Sequence, residues 1–173
     1  MNWTIRQAAE TDIEALAVIG AATFLETFAG VLDGPAITTH CMQEHSGAAY
    51  AGQLKIGSIA WLAECEIGSA PFGFALLGKP DLPGMNKDGS DLELKRIYAH
   101  SRFHGSGVGA ALMDEVLNKA AQCSAKRLLL GVYAGNLRAQ AFYTKNGFTK
   151  IADRKFDVGG RNYDDVVLAK DLD

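Results

Sequence analysis

Apolar positions alternate in some stretches of the chain and recur at helical spacing in others, which predicts an order of strands and helices. Residues 3–8 alternate as a short strand. The apolar residues of 13–28 share one helical face, which predicts a core-facing helix ending near Gly30. Residues 33–35, Asp-Gly-Pro, begin a second helix that runs towards Tyr50, because proline suits the first turn of a helix.

The middle of the chain predicts a hairpin, an irregular loop and a further strand. Segments 56–67 and 71–79 are two mostly apolar strands joined by a short turn. Residues 78–90 are rich in Gly, Pro and Asp, which is typical of an irregular connection. Residues 91–100, DLELKRIYAH, follow as a strand.

The rest of the chain alternates helices and strands. A helix begins near Val108, and an apolar strand over 126–134 is continuous enough to lie in the middle of a sheet. Asn136 is the N-cap of a short helix that stops at Asn146 and Gly147. A final hairpin turns at two glycines, 159–160. We therefore expect seven strands and four helices in one domain covering residues 1–173.

Composition narrows the classes of partner. The 173 residues are 48% apolar, enough for one continuous core. A net charge of -3 leaves no broad basic surface for nucleic acid. The three cysteines are odd in number and lack CxxC spacing, which argues against disulfides and structural zinc. No run approaches the length of a membrane span and no leader pattern is present, so we expect a cytoplasmic protein without a membrane partner.

Residues 102–109, RFHGSGVG, form a glycine-rich turn ahead of a helix. Such turns bind phosphates, because unpaired backbone N–H groups and the positive end of the helix dipole converge there. No lysine and hydroxyl follow Gly109, which excludes the P-loop of ATP or GTP hydrolysis. Gly105, Gly107 and Ala110 satisfy a dinucleotide fingerprint. Its context is wrong, because polar residues separate it from the preceding strand and no acidic residue follows the next strand.

The loop and a second motif together resemble one protein family. Residues 102–107 fit the Q/R-x-x-G-x-G/A signature of the GNAT superfamily of acetyl-CoA-dependent N-acetyltransferases. About thirty residues downstream, 136–148 reproduce the family's N-x-x-A-x-x-F-Y-x-x-x-G-F run. The order of elements also suits the family from end to end. The resemblance implies an α+β, three-layer GNAT fold: a mixed, mostly antiparallel sheet of about seven strands flanked by four helices, with a split between strands 4 and 5.

The resemblance also implies how acetyl-CoA is held. The edge of the fourth strand exposed by the split would pair with pantetheine, and the backbone N–H groups of His104 through Gly109 would hold the pyrophosphate. Arg102 would add a charge-assisted contact. His104 stands where the family commonly has arginine or lysine. The implied cofactor-binding residues are Ile97, Tyr98, Ala99, Arg102, His104, Gly105, Ser106, Gly107, Val108, Gly109 and Asn136.

Two residues match the family's catalytic positions. The attacking amine must lose a proton, and the departing coenzyme A thiolate must gain one. Tyr143 matches the general acid and Glu93 the general base of several members. From the residues alone, Tyr143 can also be interpreted as an aromatic core residue, and Glu93 as a structural glutamate on a strand. In that case water would relay the amine proton instead of Glu93.

The acceptor amine is the least determined part of the function. ATFLETFAG at 22–30 and LELKRIYAH at 92–100 resemble the PaiA-like bacterial branch, which acetylates polyamines such as spermidine. The implied acceptor-binding residues are Phe24, Glu26, Thr27, Phe28 and Tyr98. Glu26, Glu44, Asp164 and Asp165 are carboxylates that could hold a polycation.

Other activities remain open within this resemblance. A protein N-terminus or a lysine is an alternative acceptor, and a CoA-binding module without turnover is an alternative function. GNAT proteins often pair through edge strands or the last hairpin, which implies a homodimer. His40 and His45 near Cys41 suggest a metal, but a spacing of five does not place both imidazoles on one helical face, so we predict no metal site.

Overall fold

The computed structural model describes residues 2–86 and 88–172 of the chain. That part contains seven strands and five α-helices. The strands are β1 (Trp3–Gln7), β2 (Ile59–Cys65), β3 (Pro71–Gly78), β4 (Asp91–Ala99), β5 (Arg127–Tyr133), β6 (Thr149–Val158) and β7 (Arg161–Asp171). The helices are α1 (Ile13–Phe28), α2 (Gly34–Glu44), α3 (Gly47–Lys55), α4 (Val108–Gln122) and α5 (Leu137–Lys145).

All seven strands form one sheet in the order β1-β2-β3-β4-β5-β7-β6. Only β4 and β5 pair in parallel, and every other neighbouring pair is antiparallel. The predicted mixed, mostly antiparallel sheet is therefore confirmed. β1 and β6 are its two edges, where the homodimer implied by the resemblance would form; that homodimer stays a prediction.

The second predicted helix is two helices, so the expected number of four helices becomes five. α2 ends at Glu44, and α3 begins after Ser46, whose hydroxyl accepts a hydrogen bond from the Ala49 amide at 3.1 Å. A serine at this position satisfies an N–H group that a new helix start leaves unpaired. The apolar periodicity up to Tyr50 continues across the break, which is why the pattern alone predicts one helix.

Helices cover both faces of the sheet and make three layers. On one face, Leu112 and Met113 of α4 are fully buried against Leu128 and Leu130 of β5. On the other face, Leu16 of α1 packs in a second cluster with residues of β2 and β3. Among the helices of the described residues, none is long and apolar enough to cross a membrane.

Candidate active site

β4 and β5 separate after three residue pairs. Asp91–Glu93 pair in register with Arg127–Leu129, and the pairing goes no further. β4 continues to pair with β3 on its other side as far as Ala99. The register with β3 shifts around Lys95, which is an extra residue at a bulge. The predicted split between the fourth and fifth strands is therefore confirmed.

A cavity of about 810 Å³ fills this split and extends to both faces of the sheet. Most of the residues predicted for the site line it. They are Phe24, Thr27, Phe28, Glu93, Ile97, Tyr98, Ala99, His104, Gly105, Gly107, Val108, Gly109, Asn136 and Tyr143. Residues from the two ends of the sequence thus meet around one continuous space.

Three predicted residues lie outside the cavity lining: Glu26, Arg102 and Ser106. The Glu26 carboxylate accepts hydrogen bonds from the Ser101 amide at 3.0 Å and the Ser101 hydroxyl at 2.8 Å, and these bonds lower the pKa of Glu26. Glu26 therefore ties α1 to the turn that precedes the glycine loop. The exposed Arg102 guanidinium lies 4.9 Å from the Phe103 ring centroid.

The glycine loop has the backbone geometry of an anion cradle. Gly105 and Gly107 have φ angles of +81° and +90°, in the left-handed region that glycine adopts without strain. α4 begins directly afterwards, and its first α-helical hydrogen bond runs from the Ala111 amide to the Gly107 carbonyl. The amides of Val108 and Gly109 precede that bond and have no partner within the helix.

Not every amide of the loop is available to a ligand. The His104 amide donates to the Ser101 carbonyl at 2.9 Å, and the Ser106 amide donates to the Phe103 carbonyl at 3.1 Å. Both bonds close the turn that carries the loop. The predicted run of phosphate-binding amides from His104 through Gly109 therefore narrows to the glycines and the start of α4.

An arginine that the sequence analysis missed lies beside the loop. Arg138 of α5 lines the cavity and contacts His104 Nδ1. His104 Nε2 donates to the Ala99 carbonyl at 3.0 Å, so the facing Nδ1 is the acceptor for the guanidinium. A positive charge thus reaches the loop from a neighbouring helix although residue 104 is a histidine. In the sequence, Arg138 occupies one of the two unspecified positions of the N-x-x-A motif, so the motif did not identify it.

Tyr143 and Asn136 occupy the two ends of the short helix α5. The Asn136 side-chain oxygen accepts from the Ala139 amide at 3.1 Å, which confirms the predicted N-cap. Tyr143 is 8% exposed and lies between the rings of Phe142 and Phe148. Burial raises the pKa of Tyr143, so its hydroxyl keeps its proton at neutral pH. Within the described residues this hydroxyl has no hydrogen-bond partner.

Glu93 lies at the last paired position of β4, where the two strands separate. It is 7% exposed and lines the cavity. One carboxylate oxygen, Oε2, accepts from the Asp81 amide at 2.8 Å and from Lys95 Nζ at 3.1 Å. These two bonds fix the position of the carboxylate.

The cavity on the other face of the sheet has aromatic walls. Phe24 and Phe28 of α1 pack with Ile37 of α2 and Val158 of β6 in one buried cluster. Tyr98 reaches this cluster from β4, and burial raises its pKa to about 12. Further aromatic residues that the sequence analysis did not select also line this end; they are Tyr133, Phe156 and Tyr163.

Charged residues at this end are arranged in ion pairs. Arg96 lies 3.3 Å from Glu44, and Arg154 lies 3.1 Å from Asp165. Burial raises the pKa of Asp165, and Arg154 offsets part of that shift. Asp164, another carboxylate considered for a polycation, lies outside the cavity lining and pairs with Lys155. Arginines thus neutralise the two predicted carboxylates that do face the cavity, Glu44 and Asp165.

His40 and His45 come close together, contrary to the expectation from their spacing. Their ring centroids are 5.7 Å apart, because α2 ends at Glu44 and His45, its C-cap residue, no longer has helical backbone angles. Burial lowers the pKa of both, in His45 to about 3, so both rings are neutral at pH 7. In the described part of the chain, no group of three or more His, Cys, Asp and Glu residues is arranged to hold a metal.

The family follows from comparison with known proteins. Residues 36–148 match the sequence model of the Acetyltransferase (GNAT) family. The chain belongs to the GNAT acetyltransferase family. This GNAT chain is 33% identical over 162 residues to an uncharacterized N-acetyltransferase of Mycobacterium tuberculosis, covering 94% of this chain and 99% of that one. The protein is an acetyl-CoA-dependent N-acetyltransferase, as the two sequence motifs predicted.

Solved structures show the same fold. PaiA N-acetyltransferase from Thermoplasma acidophilum, in complex with coenzyme A, has a TM-score of 0.78 and 20% identity, with 99% of each chain covered. YncA, a putative acetyltransferase from Salmonella typhimurium with acetyl-CoA, has a TM-score of 0.71 and 23% identity, covering 100% of this chain and 95% of that one. At these identities the likeness is one of fold alone.

Proposed function

We propose that this GNAT protein transfers the acetyl group of acetyl-CoA to a primary amine by direct attack within a ternary complex. The observation that carries the proposal is the single cavity that joins the glycine loop to the aromatic pocket through the β4–β5 split. Donor and acceptor can therefore be bound together. Cys41, Cys65 and Cys123 are all outside the cavity lining, so none of them is positioned to carry an acetyl group.

The donor end suits coenzyme A. The glycine loop presents free amides at a helix N-terminus, which favours a pyrophosphate. Arg138 adds a positive charge beside it. Ile97 and Ala99, on the stretch of β4 beyond its pairing with β5, line the cavity where pantetheine would add to the sheet. Acetyl-CoA supplies the thioester. Residues of this chain orient it, accept the proton of the amine and donate a proton to the departing thiolate.

We assign the general acid to Tyr143. Its hydroxyl retains a proton, faces the cavity and has no competing partner in the described part of the chain. A neutral donor of this kind protonates the thiolate of coenzyme A as it leaves. A buried, less polar setting strengthens that hydrogen bond.

We assign the general base to Glu93, acting directly or through water. Its carboxylate lies at the point where the strands separate, and one oxygen, Oε1, has no hydrogen-bond partner in the described residues. Lys95 on the other oxygen holds the group in place. The amine proton then passes to Oε1 as the nitrogen attacks.

The acceptor predicted from the sequence is a polyamine, with a protein N-terminus or lysine as the alternative. A polycation needs carboxylates that are not already neutralised. The two predicted carboxylates that face the pocket are paired with Arg96 and Arg154. The pairing of these two carboxylates therefore favours a small amine over a polycation.

A thiol-release assay with acetyl-CoA and a panel of amines tests the proposed function. Tyr143→Phe removes only the hydroxyl, and we expect kcat to fall by about 10²- to 10⁴-fold. Binding of CoA, measured by calorimetry, should stay within about twofold of the wild-type value. Unchanged turnover in Tyr143→Phe would remove Tyr143 from this role. CoA binding without thiol release for any amine would instead indicate a binding module.

A further inference from the structure

Two buried nitrogen donors at the acceptor end of the cavity have no partner in the described residues: His45 Nε2 and Arg96 Nη1. We propose that these two side chains bind a carboxylate on the acceptor, so that the substrate is a small amine that also carries a carboxylate, an amino acid. This inference rests on the amine acetylation proposed above and names the class of its acceptor.

His45 presents a fixed donor. Its side chain is buried, with 3% of the residue exposed, and it lines the cavity. Nδ1 lies 2.9 Å from the Tyr50 hydroxyl. The Tyr50 hydroxyl also interacts with the Arg96 guanidinium, which can only donate, so we assign the Tyr50 proton to the bond with Nδ1 and Nδ1 as its acceptor. The neutral ring then carries its proton on Nε2, which is left without an acceptor.

A glycine in α1 leaves space for the His45 and Tyr50 side chains. Gly20 lies inside α1, where a glycine is destabilising. A Cβ at that position would collide with both the Tyr50 hydroxyl and His45 Nδ1. Glycine at this position therefore allows the histidine and the tyrosine to lie against the helix backbone.

Arg96 provides the positive charge. Its guanidinium carbon lies 5.2 Å from the centroid of the Tyr50 ring, so the Arg96 and His45 side chains both lie beside the same tyrosine. Nη2 contacts Glu44 at 3.3 Å, and Glu44 is 53% exposed. Nη1 is buried and unpaired. A guanidinium fork together with an imidazole N–H is a suitable donor set for a planar carboxylate.

The remaining lining indicates what the rest of the acceptor looks like. Phe24 stacks on the neighbouring His40 ring at 4.4 Å, and Phe156 lies 5.8 Å from the same ring. These walls suit an apolar side chain rather than a long polycation. We therefore expect an α-amino acid with an apolar side chain to be preferred.

Matched substrate pairs test the carboxylate directly. Phenylalanine is compared with phenethylamine, and leucine with isoamylamine, in the thiol-release assay; spermidine is the polycation. A site built to hydrogen-bond a substrate group rejects the analogue that lacks it. We expect kcat/KM to be at least about tenfold higher for each amino acid than for its decarboxylated partner and for spermidine. Equal or inverted preference overturns the proposal.

Variants of Arg96 separate binding of the carboxylate from a structural role. Arg96→Gln should lower kcat/KM for the amino acids by about 100-fold, mainly through KM, and change the value for the decarboxylated amines by less than about threefold. Arg96→Lys keeps the positive charge but loses the paired N–H donors of the guanidinium. Its kcat/KM for the amino acids should therefore lie between the values of the wild type and of Arg96→Gln. His45→Gln should also raise KM for the amino acids. The control is Arg161→Gln, an arginine that is 64% exposed and lies outside the cavity lining.

Binding of the acetylated product tests the carboxylate site without turnover. With CoA present, N-acetylphenylalanine should raise the Tm more than N-acetylphenethylamine does, and Arg96→Gln should abolish the difference. Equal loss of activity on amino acids and on decarboxylated amines in Arg96→Gln would indicate a structural role and overturn the proposal. Discrimination in product binding without acetyl transfer would instead refute the proposed function and leave the carboxylate site standing.

Discussion

At the scale of single residues, Arg138 changes how the glycine loop is understood. The family commonly has a cation at the position of His104, and by sequence alone this chain lacks one. Arg138 contacts that histidine from α5, so the charge comes from a different element. A guanidinium near a phosphate makes a charge-assisted bond that a histidine in its neutral form does not.

We expect Arg138→Ala to weaken acetyl-CoA binding. The residue is exposed, so solvent screens the interaction and the loss should be modest, about three- to tenfold in KM for acetyl-CoA, with kcat little changed. Arg161→Ala removes a charge of the same kind away from the cavity and serves as the control. Steady-state kinetics with saturating amine measures both. A KM for acetyl-CoA equal to that of the wild type would show that Arg138 does not contact the cofactor.

His45 makes the stability of the protein depend on pH. Burial lowers its pKa to about 3 in the folded protein, whereas a histidine in an unfolded chain titrates near about 6.5. As the pH falls below that value the unfolded chain gains a proton and the folded chain does not. The stabilisation is therefore complete above about pH 6.5 and is lost as the pH falls.

Going from pH 7 to pH 5 should lower the free energy of unfolding by about 1–2 kcal/mol through His45. His40 acts in the same direction, because burial lowers its pKa as well. Urea unfolding at the two pH values should show a smaller difference for His45→Gln than for the wild type. Substitution of the exposed His104 by glutamine is the control. The same pH difference in His45→Gln and in the wild type would contradict this account.

At the scale of elements, Asn136 links the stability of α5 to the proposed cofactor site. Its side-chain oxygen caps the helix, which leaves its amide nitrogen free to reach the cavity that it lines. Asn136→Ala should lower the free energy of unfolding by about 1 kcal/mol, since the cap is lost. Asn136→Ser keeps a capping oxygen and should be close to the wild type in stability.

The same pair of variants tests the contact between Asn136 and the cofactor. Both lack the amide nitrogen, so KM for acetyl-CoA should rise in both, by about threefold or more. Urea unfolding and steady-state kinetics report the two effects separately. A normal KM in Asn136→Ser would mean that this residue acts only as a cap.

Hydrophobic periodicity and two sequence motifs were enough to predict the strands, the family and the split between β4 and β5. The alternating and helical patterns predicted all seven strands, and the loop at 102–107 with the run at 136–148 predicted the family and the split. These features are local, because each depends on residues a few positions apart. The one misjudged element was the helix break at Ser46, where a cap interrupts an apolar pattern that continues on both sides.

The sequence alone predicted little of the proposed acceptor pocket. Its ion pairs join residues far apart along the chain, such as Arg96 with Glu44, and depend on how helices pack on the sheet. His40 and His45 lie close together because α2 ends between them. The expectation that a spacing of five keeps their rings apart assumed one continuous helix and was wrong. Glu26 matched the resemblance but is bound to Ser101 instead of facing the cavity.

At the scale of the whole molecule, the split in the sheet joins the proposed donor and acceptor sites. The parallel pairing of β4 with β5 ends at Glu93, and the cavity passes through the gap from the glycine loop to the aromatic pocket. In the proposed ternary complex both substrates would lie along this path, which Tyr143 lines. The proposed direct attack needs no covalent acetyl-enzyme, because the amine would reach the thioester itself.

Initial-velocity kinetics tests direct transfer most directly. Acetyl-CoA is varied at several fixed concentrations of an accepted amine, and thiol release is followed. A ternary complex predicts double-reciprocal lines that intersect, and no acetyl group on the protein after incubation with acetyl-CoA alone. Parallel lines together with an acetylated protein by mass spectrometry would contradict the account, because they require an acetyl-enzyme formed before the amine binds.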